Sequence, residues 1–133
     1  MSMDSKDRRQ VGKNHHLYQA MRHAGDGIIT MLREERNMRF HCLAAVAALG
    51  LGWWLRISSG DWLWLLLVIF LVFAAEFLNT VTEAVTDVMV SHQYNVDVKK
   101  AKDVAAGGVL LAACFAVVVG LIIFGPRLVN LVR

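Results

Sequence analysis

Cysteine is nearly absent from this chain. Cys42 and Cys114 stand in different apolar stretches, with no CxxC spacing and no His/Cys cluster beside either. That argues against a disulfide framework and against a zinc site, and leaves two buried thiols. Internal repeats and low-complexity tracts are missing too. No stretch matches GxxxxGK[ST] or a kinase GxGxxG loop, so phosphate chemistry would need a different architecture. About forty mostly polar residues precede the first apolar run, and no convincing small-residue cleavage site follows it, so no signal peptide is expected. Charged residues make up 19% of the chain, with a net charge of +3 and an isoelectric point near 9.1. This basic balance requires no nucleic acid, because attraction to an anionic inner leaflet accounts for it.

Apolar sequence is what the chain has in abundance. Hydrophobic residues make up 56% of the 133, more than a soluble fold of this size could hide, so the expectation is a single membrane domain over 1–133. Apolar runs at 41–58, 62–90 and 104–125 each approach the roughly 20 residues of a spanning helix. The fold class expected is therefore an all-α membrane protein with three transmembrane helices. Residues 1–14 are polar and read as a disordered tail. Over 15–36, Leu17, Met21, Ala24, Ile28, Met31 and Leu32 recur at helical spacing opposite Gln19, Arg22, Asp26, Arg33 and Arg36, which predicts an amphipathic surface helix. Gly25 and Gly27 weaken that helix, and suggest either a kink or the close approach of a ligand or a neighbouring backbone.

Lys and Arg cluster before the first span and at Lys99, Lys100 and Lys102, which puts the N-terminus and the second connection in the cytoplasm and the C-terminus outside. Trp53, Trp54, Trp62 and Trp64 gather around a tight outer turn at 58–61, as an aromatic belt would. The polar stretch 91–101 reads as the inner connection. The third span is rich in small residues, which favour close helix approach, and Pro126 is expected to end it.

Glu76, Asn79, Glu83 and Asp87 lie inside the second run. A charge at mid-bilayer costs roughly 2.5–3.5 kcal/mol, so such groups face a protein interior, a cavity or a bound ion. At 100° per residue the four fall within a stripe about 80° wide. Oxygen ligands without cysteine suit magnesium, which bridges one or two carboxylates to phosphate. Glu34 and Glu35 before the first span, and Lys102 and Asp103 at the start of the third, are expected at the same depth. Spacing alone leaves three readings open: phosphoryl transfer, an ion or proton pathway, and polar contacts between helices.

The segment from Glu76 to Asp87 resembles the signature of the small bacterial diacylglycerol kinase family, Glu-x-x-Asn-Ser/Thr followed by Glu and then Asp. Glu35 to His41, Ala101 to Gly107 and Ile122-Ile123-Phe124 resemble it as well, so that the similarity covers about residues 17–126. The ExNxRxH and AKDxAAG forms look most like the Gram-positive branch, whose usual substrate is undecaprenol. Val81-Thr82, Thr86 and Asn95 depart from the family pattern and leave its acids intact.

The resemblance implies a homotrimeric, ATP- and magnesium-dependent lipid kinase of the cytoplasmic membrane, with active sites between subunits. It makes Glu76 the general base, supported by Asn79 and Asp87. Glu35 and Glu83 would hold Mg2+, and His23, Tyr94, Lys102 and Asp103 would line the ATP site together with them. Ala20, Ala24, Gly27, Met31 and Arg39, with small faces of the spans, would border the lipid near Glu76. His41 belongs to the motif, but polar packing explains it equally well. Diacylglycerol is the alternative acceptor, and a small ion-coupled transport or accessory protein is the alternative of another class.

Overall fold

In the computed structural model the described residues are 17–91 and 93–133. The expected 1–14 tail, His15 and His16 of the expected surface helix, and His92 lie outside them. The described chain is helical, in the order α1 (Leu17–Glu34), α2 (Arg36–Trp54), α3 (Ser59–Val90) and α4 (Val96–Val132).

The helix α1 forms a unit of its own. It runs without interruption through Gly25 and Gly27, and a Cβ added at either would meet nothing among the described residues within 4 Å. No neighbouring backbone among the described residues therefore approaches either glycine closely. Leu17, Met21, Ile28 and Leu32 form an exposed apolar stripe, while Met31 is buried. The expected surface helix ends at Glu34, two residues early, because Glu35 takes an extended conformation as the N-cap of α2.

The second unit holds α2, α3 and α4. The helix α2 begins at Arg36, five residues before the expected span, and ends at Trp54, with Arg56 turning the chain in the left-handed region. Its first turns carry Arg36, Asn37, Arg39 and His41. The apolar remainder is about 14 residues, about 21 Å of helix against a hydrocarbon core near 30 Å. Only α3 and α4, among the described residues, are long and apolar enough to cross a membrane. Just 22% and 17% of their most apolar stretches are buried, unlike the core helices of a soluble protein.

The helix α3 starts at a capping box: Ser58 Oγ accepts from the Asp61 backbone N–H at 3.2 Å, and Asp61 Oδ2 accepts from the Ser58 N–H at 3.3 Å. The helix α4 starts eight residues earlier than expected, since Asn95 Oδ1 accepts from the N–H groups of Asp97 (2.9 Å) and Val98 (3.2 Å). That shortens the inner connection to 91–95. Pro126 does not end α4, which continues to Val132. Proline removes one backbone bond there, and the neighbouring carbonyl of Ile123 accepts from the Arg127 guanidinium at 2.5 Å.

Ion pairs join α3 and α4 at both ends. Arg127 Nη2 meets Asp61 Oδ2 at 2.6 Å, and Lys102 Nζ meets Asp87 Oδ1 at 2.5 Å. Near the Asp61 end an apolar core gathers Ile57, Leu65, Val68, Val119, Ile123 and Phe124. Gly52 packs tightly there: a Cβ would stand 3.0 Å from Ile57 Cδ1 and 3.2 Å from the Trp62 ring, so those side chains would have to give way by a few tenths of an ångström.

Candidate active site

The buried face of α3 changes character without changing direction. Leu65, Val68, Val72, Glu76, Asn79 and Thr86 are all buried, at spacings of three and four with Glu83 between the last two. A seam that packs apolar side chains up to residue 72 becomes polar from Glu76 onward. Glu76 is the most enclosed, with 1% of its surface exposed. So the predicted stripe exists, and its deepest member is the residue predicted to be the base. Glu83 and Asp87, nearer the Lys102 end, are half-buried.

His41, in the second turn of α2, brings Nε2 to 3.1 Å from Glu76 Oε1. The separation suits an ion pair with a protonated ring, but the alignment falls short of a hydrogen bond, so Oε1 has no hydrogen-bond partner among the described residues. Asn79 Oδ1 and Thr80 Oγ1 are also buried without such a partner. Buried oxygens without a hydrogen bond are costly unless a proton donor or cation meets them; His41 meets Glu76 Oε1 as an ion pair, and among the described residues nothing meets Asn79 Oδ1 or Thr80 Oγ1. The ring of Phe40 stands edge-on to His41, centroids 5.9 Å apart.

Asn79 Nδ2 donates to Glu83 Oε1 at 3.2 Å, which fixes that carboxylate. The Glu35 side chain makes no cap hydrogen bond, and the negative charges of Glu35 and Glu83 both act on Glu76. The structure thus brings Glu35, Glu76, Asn79 and Glu83 into one electrostatic neighbourhood. Among the described residues no three acids, histidines or cysteines form a ready-made metal cage. Magnesium asks for less, since one or two carboxylates and phosphate oxygens suffice. The oxygen-only donors fit it.

About 16 Å further along α3, Asp87, Tyr94 and Lys102 line one open depression, together with Gln93, Asn95 and Lys99. Asp103 does not join Lys102 there; it pairs with Lys99 at 2.5 Å on the exposed face of α4. Arg39 lies on the exposed surface of α2. His23, Ala20, Ala24, Gly27 and Met31 are all on α1, where His23 Nε2 is buried without a hydrogen-bond partner among the described residues.

Two polar groups of the site were missed or undervalued by sequence. Thr80 falls just beyond the edge of the stripe that holds Glu76 and Asp87, so the 100° arithmetic could have placed it beside those acids. His41 lies on another helix, so no periodicity links it to Glu76.

Comparison with known proteins bears on these groups. The family model of prokaryotic diacylglycerol kinase matches residues 22–124. The undecaprenol kinase of Bacillus subtilis is 38% identical over 126 residues, covering 95% of this chain and all of that protein. The diacylglycerol kinase of Synechocystis sp. is 38% identical over 122 residues, 92% of this chain and 69% of that protein.

Proposed function

The chain belongs to the prokaryotic diacylglycerol kinase family and is a lipid kinase of the membrane that draws its phosphoryl group from ATP; from that premise we propose that its acceptor is undecaprenol. The observation that carries the chemistry is Glu76, a carboxylate sealed from solvent in an apolar helix and ion-paired with His41. The choice of lipid follows the full-length similarity to the Bacillus enzyme. The same chemistry serves diacylglycerol, the second reading, which the Synechocystis relative favours.

In this reading Glu76 Oε1 takes the proton of the lipid hydroxyl. The freed oxygen bonds to the γ-phosphorus as the bond from phosphorus to the bridging oxygen of ADP breaks. Exclusion of water at Glu76 suppresses hydrolysis of ATP as a competing outcome. Glu83, held by Asn79, and Glu35, free of capping duty, would hold Mg2+, which neutralises charge on the phosphates when bound. Lys102 and Tyr94 bind the nucleotide at the open depression, with Asp87 holding the lysine. Asp103 contributes by holding Lys99, and the nucleotide role of His23 rests on the family resemblance alone. The helix α1 lies on the cytoplasmic face, α2 crosses as a third span with Arg39 at its boundary, the C-terminus is outside, and three copies assemble. Exposed apolar surface on α3 and α4 supports burial against lipid and other copies.

The test is transfer of labelled γ-phosphate from MgATP to undecaprenol and to diacylglycerol in mixed micelles. Glu76→Gln should lower transfer by about 10²-fold or more while ATP still binds. Transfer that is absent, or indifferent to this substitution, would refute the reading.

A further inference from the structure

A cavity of about 260 Å³ opens between α2, α3 and α4. Of the side chains lining it, His41 alone is polar; Ala45 and Ala48 of α2, Val68 and Phe73 of α3, and Ala116 and Gly120 of α4 are representative of the rest. The same His41 stands 3.1 Å from Glu76, whose facing oxygen is buried and lacks a hydrogen-bond partner. An apolar chamber thus ends at one imidazole, and that imidazole is ion-paired with Glu76, which stands behind it rather than in the cavity wall. We propose that this cavity receives the hydroxyl-bearing end of the acceptor lipid, and that His41 is the positioning residue that holds the hydroxyl against Glu76.

Three observations select the occupant. The walls are alkyl and aromatic, so they match a hydrocarbon chain and offer nothing to a nucleotide. The volume is just under the roughly 300–1,000 Å³ typical of ligand pockets, enough for the first segment of a long chain and too little for the whole. Glu76 Oε1 is paired with His41 without an aligned hydrogen bond, and an alcohol inserted between them has one hydrogen to give the carboxylate and one oxygen to accept from His41 Nε2. Water would satisfy the carboxylate equally well but would leave the apolar walls unmatched. The inference rests on the lipid-kinase reading for what Glu76 does, and moves the head of the acceptor from α1 to the interior of the three-helix unit.

A photoreactive polyprenol, with a diazirine one isoprene unit from the hydroxyl, tests the location on the full-length protein in micelles. Labelled peptides from α2 and α4 around Ala45 and Ala116, competed away by unlabelled undecaprenol, are the expected result. Labelling confined to α1 or to the outward faces of α3 would overturn the proposal, as would cross-linking of two copies through cysteines placed at 45 and 116, which would make the cavity an interface between copies. Kinetics give the second arm. Ala45→Phe and Ala116→Phe should raise the KM for the polyprenol about tenfold or more, with the KM for ATP unchanged and the thermal midpoint in detergent close to wild type, which reports that the variants fold; an unchanged KM for the polyprenol would overturn the proposal. For His41, alanine should lower kcat/KM for the lipid with little change for ATP, and glutamine should recover part of it. Equal loss in both His41 variants would overturn its positioning role. Wild-type protein that labels in the cavity yet transfers no phosphate would refute the kinase reading and leave the lipid site standing.

Discussion

Asp87 and Lys102 have two jobs that a single substitution cannot separate. As an ion pair they join α3 to α4, and as members of an open depression they face the proposed nucleotide. Exchanging them separates the two. The double variant Asp87→Lys, Lys102→Asp restores opposite charges across the same gap, so its thermal midpoint in detergent should stay close to wild type. Its KM for ATP should rise about tenfold or more, the worth of one charge-assisted contact. Full activity in the exchanged protein would reduce both residues to structural partners. Glu83 poses a different question, because Asn79 already holds its carboxylate. Glu83→Gln keeps the size and hydrogen-bonding reach of the side chain and removes the charge, so the Mg2+ concentration for half-maximal transfer should rise while binding of the lipid is unaffected. A magnesium titration at fixed ATP reads this directly.

At the level of elements, two glycines behave oppositely for reasons visible in their surroundings. Gly52 sits where the Ile57 and Trp62 side chains close on α2, and Gly52→Leu should destabilise the protein by about 1–3 kcal/mol through overpacking. Gly25 has open space around it in the middle of α1, so Gly25→Ala should stabilise that helix by up to about 1 kcal/mol. Thermal melts of both variants, with helix content followed by circular dichroism, decide the pair. The same contrast shows what could be read from sequence. Apolar period and composition located α3 to within three residues, and put Glu76, Asn79, Glu83 and Asp87 on one face. Helix ends were less legible, because they depend on single hydrogen bonds and local packing: Asn95 starts α4 eight residues early, and the helix runs on past Pro126. Helix pairing was not legible at all. Nothing in a linear pattern could say that His41 would meet Glu76, or that Lys102 would choose Asp87 and leave Asp103 to Lys99.

For the whole molecule, the two clasps between α3 and α4 have a spacing that the bilayer must respect. Asp61 and Asp87 are separated by 26 residues of one helix, about 39 Å along its axis. The hydrocarbon core is about 30 Å thick, so each clasp falls in a headgroup layer a few ångströms beyond it. The molecule therefore carries a gauge of membrane thickness. In bilayers of longer acyl chains the Arg127–Asp61 and Lys102–Asp87 pairs would be drawn toward hydrocarbon, which is relieved by thinning the surrounding bilayer or by loosening a clasp. Reconstituted in a series of phosphatidylcholines of increasing chain length, the enzyme should show a maximum in turnover, and the exchanged Asp87/Lys102 protein should keep the position of that maximum. Removing the Arg127–Asp61 clasp with Asp61→Asn should broaden it, since that end of the helix pair would then be free to slide through lipids of unequal depth.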